Sequence, residues 1–349
     1  MNEIVLENTF VEQDLFPFTL TRSVADIRIG ILTIREKWEK FFNYSISLTP
    51  ASGNAIILPA NIIPTYHLAT AIKEKKVDQY ISAANKLPAI QYPWHIFQMN
   101  DAMIRADFEL ITKGRKSGPI SPTNKTIHAE NIFIEAGAKL EHSFLNASTG
   151  PIYIGKNAEV MEGSSIRGPF ALCESSIVKM GARIYGATTI GPHSIVGGEI
   201  KNSVILGYSN KAHDGYLGDS VIGEYCNLGA GTSNSNIKNN ATEVDIWNEH
   251  IKKFIPAGLK CGLMMGDYSR SAINTSFNTG TVVGVCCNVF GTGLTPKYIP
   301  SFSWGYTPLM NYQFEKALTD ISNWKKLKNQ SLDNDEIMTL KHIFEQTIN

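Results

Sequence analysis

A left-handed parallel β-helix, preceded by a short α/β domain and followed by a helical tail, is the fold class this sequence predicts. Three observations carry it. Stepping by six from Ile154 gives Ile154, Val160, Ile166, Leu172, Val178, Ile184, Ile190 and Val196, every one aliphatic. A period of six is neither the 3.6 of a helix nor the alternation of a strand. It marks a triangular coil in which each hexad lays down one short strand with one apolar residue inward, and successive coils stack at about 4.8 Å. Small residues follow the inward position at Ile154-Gly155, Ile190-Gly191, Val196-Gly197, Ile222-Gly223 and Leu228-Gly229, where the corners need tight turns. Helical spacing appears only before and after the repeat. An evenly spaced β-sandwich is the competing reading, and eight uninterrupted positions argue against it.

Composition sets wide limits. The 349 residues suffice for two domains or for one domain and a solenoid. Thirty-two basic residues balance 32 acidic ones, so no global field favours nucleic acid or an anionic membrane, and any basic site is local. Cys173, Cys226, Cys261, Cys286 and Cys287 form no CxxC pair and no metal-ligand spacing. They read as small buried apolar residues in a reducing compartment. The opening MNEIVLENTF lacks a signal-peptide pattern, and no run of eighteen apolar residues occurs, so a cytoplasmic location is expected.

Residues 1–118 read as the α/β domain. Ile4-Val5-Leu6 and Ala55-Ile56-Ile57-Leu58 are short buried strands, and Gln79-Tyr80-Ile81 is a weaker one. An amphipathic helix carries Ile31, Ile34, Trp38 and Phe41; Pro64 and Pro93 open two more, through Lys75 and about Thr112. The breaker-rich 113–122 segment marks the boundary. The β-helix is assigned to 119–305, with irregular first turns at Ile127, Phe133, Lys139 and Leu145. After Val196 the register shifts to a second series, Val204, Asn210, Tyr216, Ile222 and Leu228. A polar loop leaves the coil from Ser233 to about Phe254, the pattern resumes at Phe277, Val283 and Val289, and Pro296, Pro300 and Pro308 end it. Residues 306–349 form the tail, whose spacing at Phe314, Leu318, Ile321 and Trp324, then Ile337, Leu340 and Phe344, predicts two helices. Flat outer faces on such a prism are best covered by neighbouring prisms, so a homotrimer with sites between chains is expected.

Outward polar residues on a rigid wall are the informative ones. Arg183 and Lys201 lie eighteen apart, one coil of three hexads, and should stack on one face as two cations that need an anion, a phosphate being the commonest small one. Two solvated surface charges explain the spacing equally well. Glu199 and His213 offer a carboxylate to orient an imidazole, as a general base requires, although a lone histidine more often simply faces water.

The run EIKNSVILGYSNKAHDGYLGDSVIGEYCNLGAGT, residues 199–232, resembles the acetyltransferase half of the bifunctional UDP-N-acetylglucosamine pyrophosphorylase/glucosamine-1-phosphate N-acetyltransferases, which are hexapeptide-repeat proteins. The match is ungapped through Glu199, Lys201, His213, Tyr216, the LGD at 217–219, Asn227 and the GAGT at 229–232, and it extends back to Arg183. The resemblance implies that His213 is the general base for amine attack on acetyl-CoA and that Glu199 holds its imidazole. It further implies that Arg183 and Lys201 clamp the sugar phosphate, that Tyr216 and Asn227 hold the sugar, and that Asn236 and the backbone at Ala230 lie against acetyl-CoA. Two departures stand out: Ile237 replaces the tyrosine that follows the asparagine in that family, and Ala272-Ile273-Asn274-Thr275 replaces a Gly-Ser. The segment 258–284, with its INTS sequence, is instead similar to archaeal and bacterial fused sugar-1-phosphate nucleotidylyltransferase/acetyltransferases, and Asn274 becomes the candidate oxyanion donor.

FPFTLTRSVADIRIGILTIREKW, residues 16–38, and PWHIFQMNDAMIRADFELITKGR, residues 93–115, resemble a divergent nucleotidylyltransferase of the Bacteroidetes type. Arg22, Arg28 and Lys37 are candidate phosphate contacts and Asp101 or Asp107 a candidate Mg²⁺ ligand; helix-surface charges are the alternative. A nucleotide cradle normally uses a glycine-rich loop after the first strand, yet no glycine precedes Gly30. The leading expectation is therefore acetyl transfer from acetyl-CoA to an amino-sugar 1-phosphate by a chain carrying a nucleotidylyltransferase-like domain, with Mg²⁺ and UTP or dTTP required if that domain is active. The alternatives are nucleotidylation as the main activity and a non-catalytic β-helix that binds sugar nucleotides.

Overall fold

The computed structural model describes residues 3–9, 11–49, 55–77, 80 and 87–348. From Lys125 to Trp304 the chain winds into a parallel β-solenoid of three sheets, closed by an antiparallel strand at Met310–Asn311. A nine-stranded first face starts at Ile132–Ile134, a ten-stranded second face at Lys139–Leu140, and a six-stranded third face runs from Lys125–Ile127 to Tyr216–Gly218. The eight aliphatics of the six-step ladder all point inward, and none is more than 2% exposed. Burial of one such side chain per strand is worth about 1.5–3 kcal/mol, so the stacked interior holds the coil together.

The second series differs from expectation. The inward line after Val196 is Ile200, Ile205, Lys211, Leu217, Ile222 and Leu228, as the pairings Val196 with Lys211, Ile200 with Leu217 and Ile205 with Ile222 establish. Val204, Asn210 and Tyr216 are each one residue off and face outward. The cause is a set of short corners: the one at Gly197-Gly198 turns from Val196 to Ile200 in four residues, and those from Ile200 to Ile205 and from Leu217 to Ile222 take five, where a regular corner takes six. Glycine is needed twice at the first. A Cβ on Gly197 would come 2.4 Å from the Ala212 carbonyl oxygen, and one on Gly198, whose φ is +70°, would come 2.7 Å from that of His213. Phe277, Val283 and Val289 do point inward, and the coil runs on past Pro296 and Pro300 through Tyr298–Ile299 to Ser303–Trp304, on which Met310–Asn311 folds back antiparallel after Pro308. The excursion after Ser233–Asn234 is an antiparallel hairpin, Asp245–Asn248 with Lys253–Pro256, where a loop was expected.

In the N-terminal region the strands Ile4–Glu7 and Ile56–Pro59 pair in parallel, and helices span Ile34–Phe42, Tyr66–Lys73 and Asn100–Thr112. Thr33 caps the first helix through a reciprocal bond with Glu36. The weaker strand expected around Gln79 and Ile81 lies outside the described residues. This region is not a separate body. It lies along the outward residues of the first face, so that Val204, Leu206, Val221, Met264 and Val282 share one core with Ile27, Trp38 and Phe97. The tail forms the two expected helices, Phe314–Lys326 and Asn334–Ile348, which pack through Ile321, Leu340 and Ile343 on Tyr268, Cys286 and Phe302 at the second face. The third face keeps its outward side open, with Ile127 53% and Phe144 56% exposed.

Candidate functional site

The open third face carries two outward columns. One runs Phe144, Ser165, Arg183, Glu199, Tyr216 and the other Asn146, Arg167, Tyr185, Lys201, Gly218, as strand register dictates. Arg183 therefore lies opposite Glu199, and Lys201 opposite Tyr185. The expectation that Arg183 and Lys201 stack directly is corrected: the short glycine corner trims this coil, so the two cations sit on neighbouring strands but two residues apart along them. They still share one face. A groove of about 590 Å³ runs along it, lined among others by Ile127, Phe144, Arg167, Arg183 and Tyr185.

Glu199 is spoken for. Its Oε1 accepts the Tyr185 hydroxyl at 2.6 Å and its Oε2 lies 3.8 Å from Arg183 Nε. The bond to Glu199 and partial burial raise the Tyr185 pKa. The expected pairing of Glu199 with the His213 imidazole is absent from this chain, because register turns the carboxylate along the face toward Tyr185 and Arg183. His213 occupies the exposed corner just after the Asn210–Lys211 strand, and its carbonyl lies over Gly198, the residue before Glu199.

That corner repeats in the next coils. Gly231 N donates to Asp214 O at 3.0 Å and Asn274 N to Ala230 O at 2.7 Å, so His213, Ala230 and Asn274 follow one another up a single edge of the prism. Asn274 has φ +55°, and its Oδ1 lies close against Gly231, where a Cβ would approach to 2.0 Å. Tyr216 lies on the adjoining face and accepts a bond from Asn236 Nδ2 at 3.1 Å. Burial first, then the charge of Asp219, lifts the Tyr216 pKa to about 12. Asp219, 3% exposed, receives the amides of both Asn202 and Asn236, which ties the segment leading into the excursion to this wall. Asn227 is the exception. It faces outward on the second sheet between Asn210 and Arg270, on a different face from the other residues.

Sequence reasoning missed three residues that shape this region: Tyr185, Asp219 and Lys211. Lys211 is 2% exposed and sits on the inward line, where its register partners are Val196 and, one coil on, Leu228. Its Nζ donates to Gly197 O at 3.0 Å and to His213 O at 2.6 Å. Burial pulls its pKa down to about 8, with Asp214 opposing the shift and Arg183 adding to it. No hydrophobic signal marks it, because its inward slot depends on two successive short corners, Val196 to Ile200 and Ile200 to Ile205.

The N-terminal candidates are placed in internal pairs. Lys37, 2% exposed, is bonded to Asp107, whose Oδ2 also accepts Ile31 N at 2.8 Å and Leu32 N at 3.0 Å. Arg28 donates to the carbonyls of Ile31 and, across the domain contact, Leu206. Arg22 pairs with Asp267 at 2.5 Å and Glu224 at 3.3 Å on the solenoid. Buried cations must be paired, and Arg28 and Lys37 are committed inside the protein, whereas Arg22 also lines a cavity of about 470 Å³ with Asp26, Glu224 and Asp267. Asp101 is exposed and bonded to Arg105 at 2.6 Å. Among the described residues no three His, Cys, Asp or Glu side chains converge into a metal cluster. Gly30 is no nucleotide cradle either: its φ is +79°, and a Cβ there would meet Asp107 Oδ2 at 2.5 Å.

Comparison with known proteins adds names to this geometry. Residues 4–81 and 60–116 match the family model described as Sugar nucleotidyl transferase. The chain is 34% identical over 109 residues to the bifunctional protein GlmU of Methanocaldococcus jannaschii, covering 31% of this chain and 26% of that protein. It is 29% identical over 143 residues to the bifunctional sugar-1-phosphate nucleotidylyltransferase/acetyltransferase of Sulfurisphaera tokodaii, covering 40% and 35%. These matches span only about a quarter to a third of the relatives' own length. Among solved structures, the UDP-N-acetylglucosamine acyltransferase from Campylobacter jejuni aligns over 64% of this chain and 95% of its own, with 12% identity and a TM-score of 0.31.

Proposed function

We propose that this chain transfers the acetyl group of acetyl-CoA to the amine of an amino-sugar 1-phosphate, glucosamine 1-phosphate in the first instance, as a homotrimer whose sites lie between prisms. The observation that carries the reading is the shared edge: His213, Ala230 and Asn274 rise along one corner, beside the one face that neither flanking region covers and on which Arg183, Lys201 and Tyr216 point outward.

In this reading Arg183 and Lys201 bind the phosphate, with Glu199 and Tyr185 holding the Arg183 side of the wall. Tyr216, braced by Asn236, holds the sugar, and Asn227 of a neighbouring chain closes the pocket. The amine nitrogen attacks the thioester carbonyl, the N–C bond forms and the C–S bond breaks, and CoA leaves as its thiolate. His213 takes the proton from nitrogen and passes it to the departing sulfur. Asn274 and the Ala230 backbone flank the acyl donor, where a donor to the developing oxyanion belongs. A sugar-1-phosphate nucleotidylyltransferase activity is the second reading, favoured by the family match over residues 4–116. The internal commitment of Arg28 and Lys37 speaks against it in this chain.

The test incubates purified protein with acetyl-CoA and glucosamine 1-phosphate, with and without UTP, dTTP and Mg²⁺, and identifies products by mass. N-acetylation that needs no nucleotide is expected. His213→Ala should lower kcat by about 10²–10⁴ while leaving the assembly intact. A variant with wild-type turnover would reject the reading.

A further inference from the structure

The interior of a β-helix is an unfavourable place for a charge, and Lys211 is in it. The inward line to which it belongs otherwise reads Leu140, Val160, Val178, Val196, then Leu228, Ser271 and Val289. An ammonium among these side chains loses most of its hydration, and that loss is tolerated only where fixed acceptors replace water. Two do: the carbonyls of Gly197 and His213, at 3.0 and 2.6 Å. Both belong to the irregular corner, Gly197 where the coil is cut short and His213 where the corner of the next coil lies over it. Lys211 thus bridges two consecutive coils from the inside, at the point where the shortened turn departs from regular stacking.

We propose that Lys211 is a positioning residue for His213, its buried ammonium tethering the His213 carbonyl to the corner below and so fixing the height and direction of the imidazole on the outer edge. The inference rests on the acetyl-transfer reading for its activity readout. The Lys211 ammonium holds the His213 carbonyl from within, and among the described residues no side chain is hydrogen-bonded to the exposed imidazole, so the tether is what locates the base before substrate arrives. A side chain placed an ångström away from its productive position costs about 10²-fold in rate without weakening substrate binding to match.

The experiment compares Lys211→Met, which fits the apolar interior and tethers nothing, with Lys211→Gln, whose shorter amide reaches one carbonyl at most. Both are measured as the full-length assembly. The expected series is graded: kcat falls about tenfold or more for methionine and about threefold for glutamine, with KM for both substrates within about twofold of wild type. In parallel, the His213 imidazole carbon-bound proton resonance, assigned by its loss in His213→Ala, should be single in the wild type and broadened or split in Lys211→Met. Wild-type kcat with an unchanged resonance in either variant overturns the proposal, and if methionine prevents folding the glutamine variant decides alone. Should His213→Ala itself retain acetyl transfer, the functional reading falls, and the resonance by itself then judges the tether.

Discussion

Tyr185 and Glu199 sit diagonally on neighbouring strands of the open face, and the phenol donates to the carboxylate at 2.6 Å while Arg183 approaches its other oxygen. Glu199 therefore belongs with the Arg183 side of the wall, where the sugar phosphate is proposed to bind. Glu199→Gln keeps the shape but removes the charge that holds Arg183. KM for the sugar phosphate should rise roughly tenfold while kcat stays within about threefold. A loss confined to kcat would instead return Glu199 to His213.

Lys211 also gives a pH signature of stability. Its pKa falls from 10.5 in the unfolded chain to about 8 in the fold. A depressed folded pKa adds stability above the unfolded value and loses it as pH falls through the folded one. The protonated group should thus cost roughly 3 kcal/mol near neutrality, at 1.36 kcal/mol per unit. Chemical denaturation of wild type and Lys211→Met should show their stability difference shifting toward the wild type between pH 8 and 10.5. A difference independent of pH would mean that Lys211 is not desolvated.

All five cysteines are buried, and burial raises their thiols, Cys173 to about 11 and Cys287 to about 12. A thiol reagent at pH 8 should find fewer than one reactive group per native chain and five after denaturation. The same result makes release of CoA thiol a clean assay for acetyl transfer.

Gly198→Ala places a methyl 2.7 Å from the His213 carbonyl at a φ of +70°. Steric and conformational strain together should destabilise the fold by about 1–3 kcal/mol, and kcat should fall with it. Gly181→Ala, at the equivalent corner with φ +70° and nothing within 4 Å, carries only the conformational part. Thermal melts of the two variants separate these contributions.

Asp107→Asn should destabilise more than either, by about 3–5 kcal/mol, because it leaves the Lys37 ammonium buried without a counter-charge. Denaturant titration reads this directly. A loss below about 1 kcal/mol would mean that water reaches the pair.

What the sequence made legible follows from what is periodic. Ile154 through Val196 could be placed inward from spacing alone, because every corner in that stretch has the same length. Gly197-Gly198 and the five-residue corner from Ile200 to Ile205 broke the count, and with it the direction of Val204, Asn210 and Tyr216, since a shorter corner leaves no mark in hydrophobicity. The outward set of Arg183, Lys201 and Tyr216 emerged on the expected face, but its pairing did not, as Glu199 facing Arg183 depends on the same trimmed coil. Arg22, Arg28 and Lys37 were the least legible. A cation next to aliphatic residues reads the same in sequence whether it faces solvent or the carboxylate of Asp107 or Asp267, and only the three-dimensional partner decides.

The docking of the first hundred residues along Val204, Val221, Met264 and Val282 means that the breaker-rich segment near residue 118 marks a bend in the path and not a seam in the energetics. A fragment starting there would bare a continuous oily strip and should clump when expressed alone. The two parts are bound to be inherited, lost and engineered together, whatever activity the leading one retains.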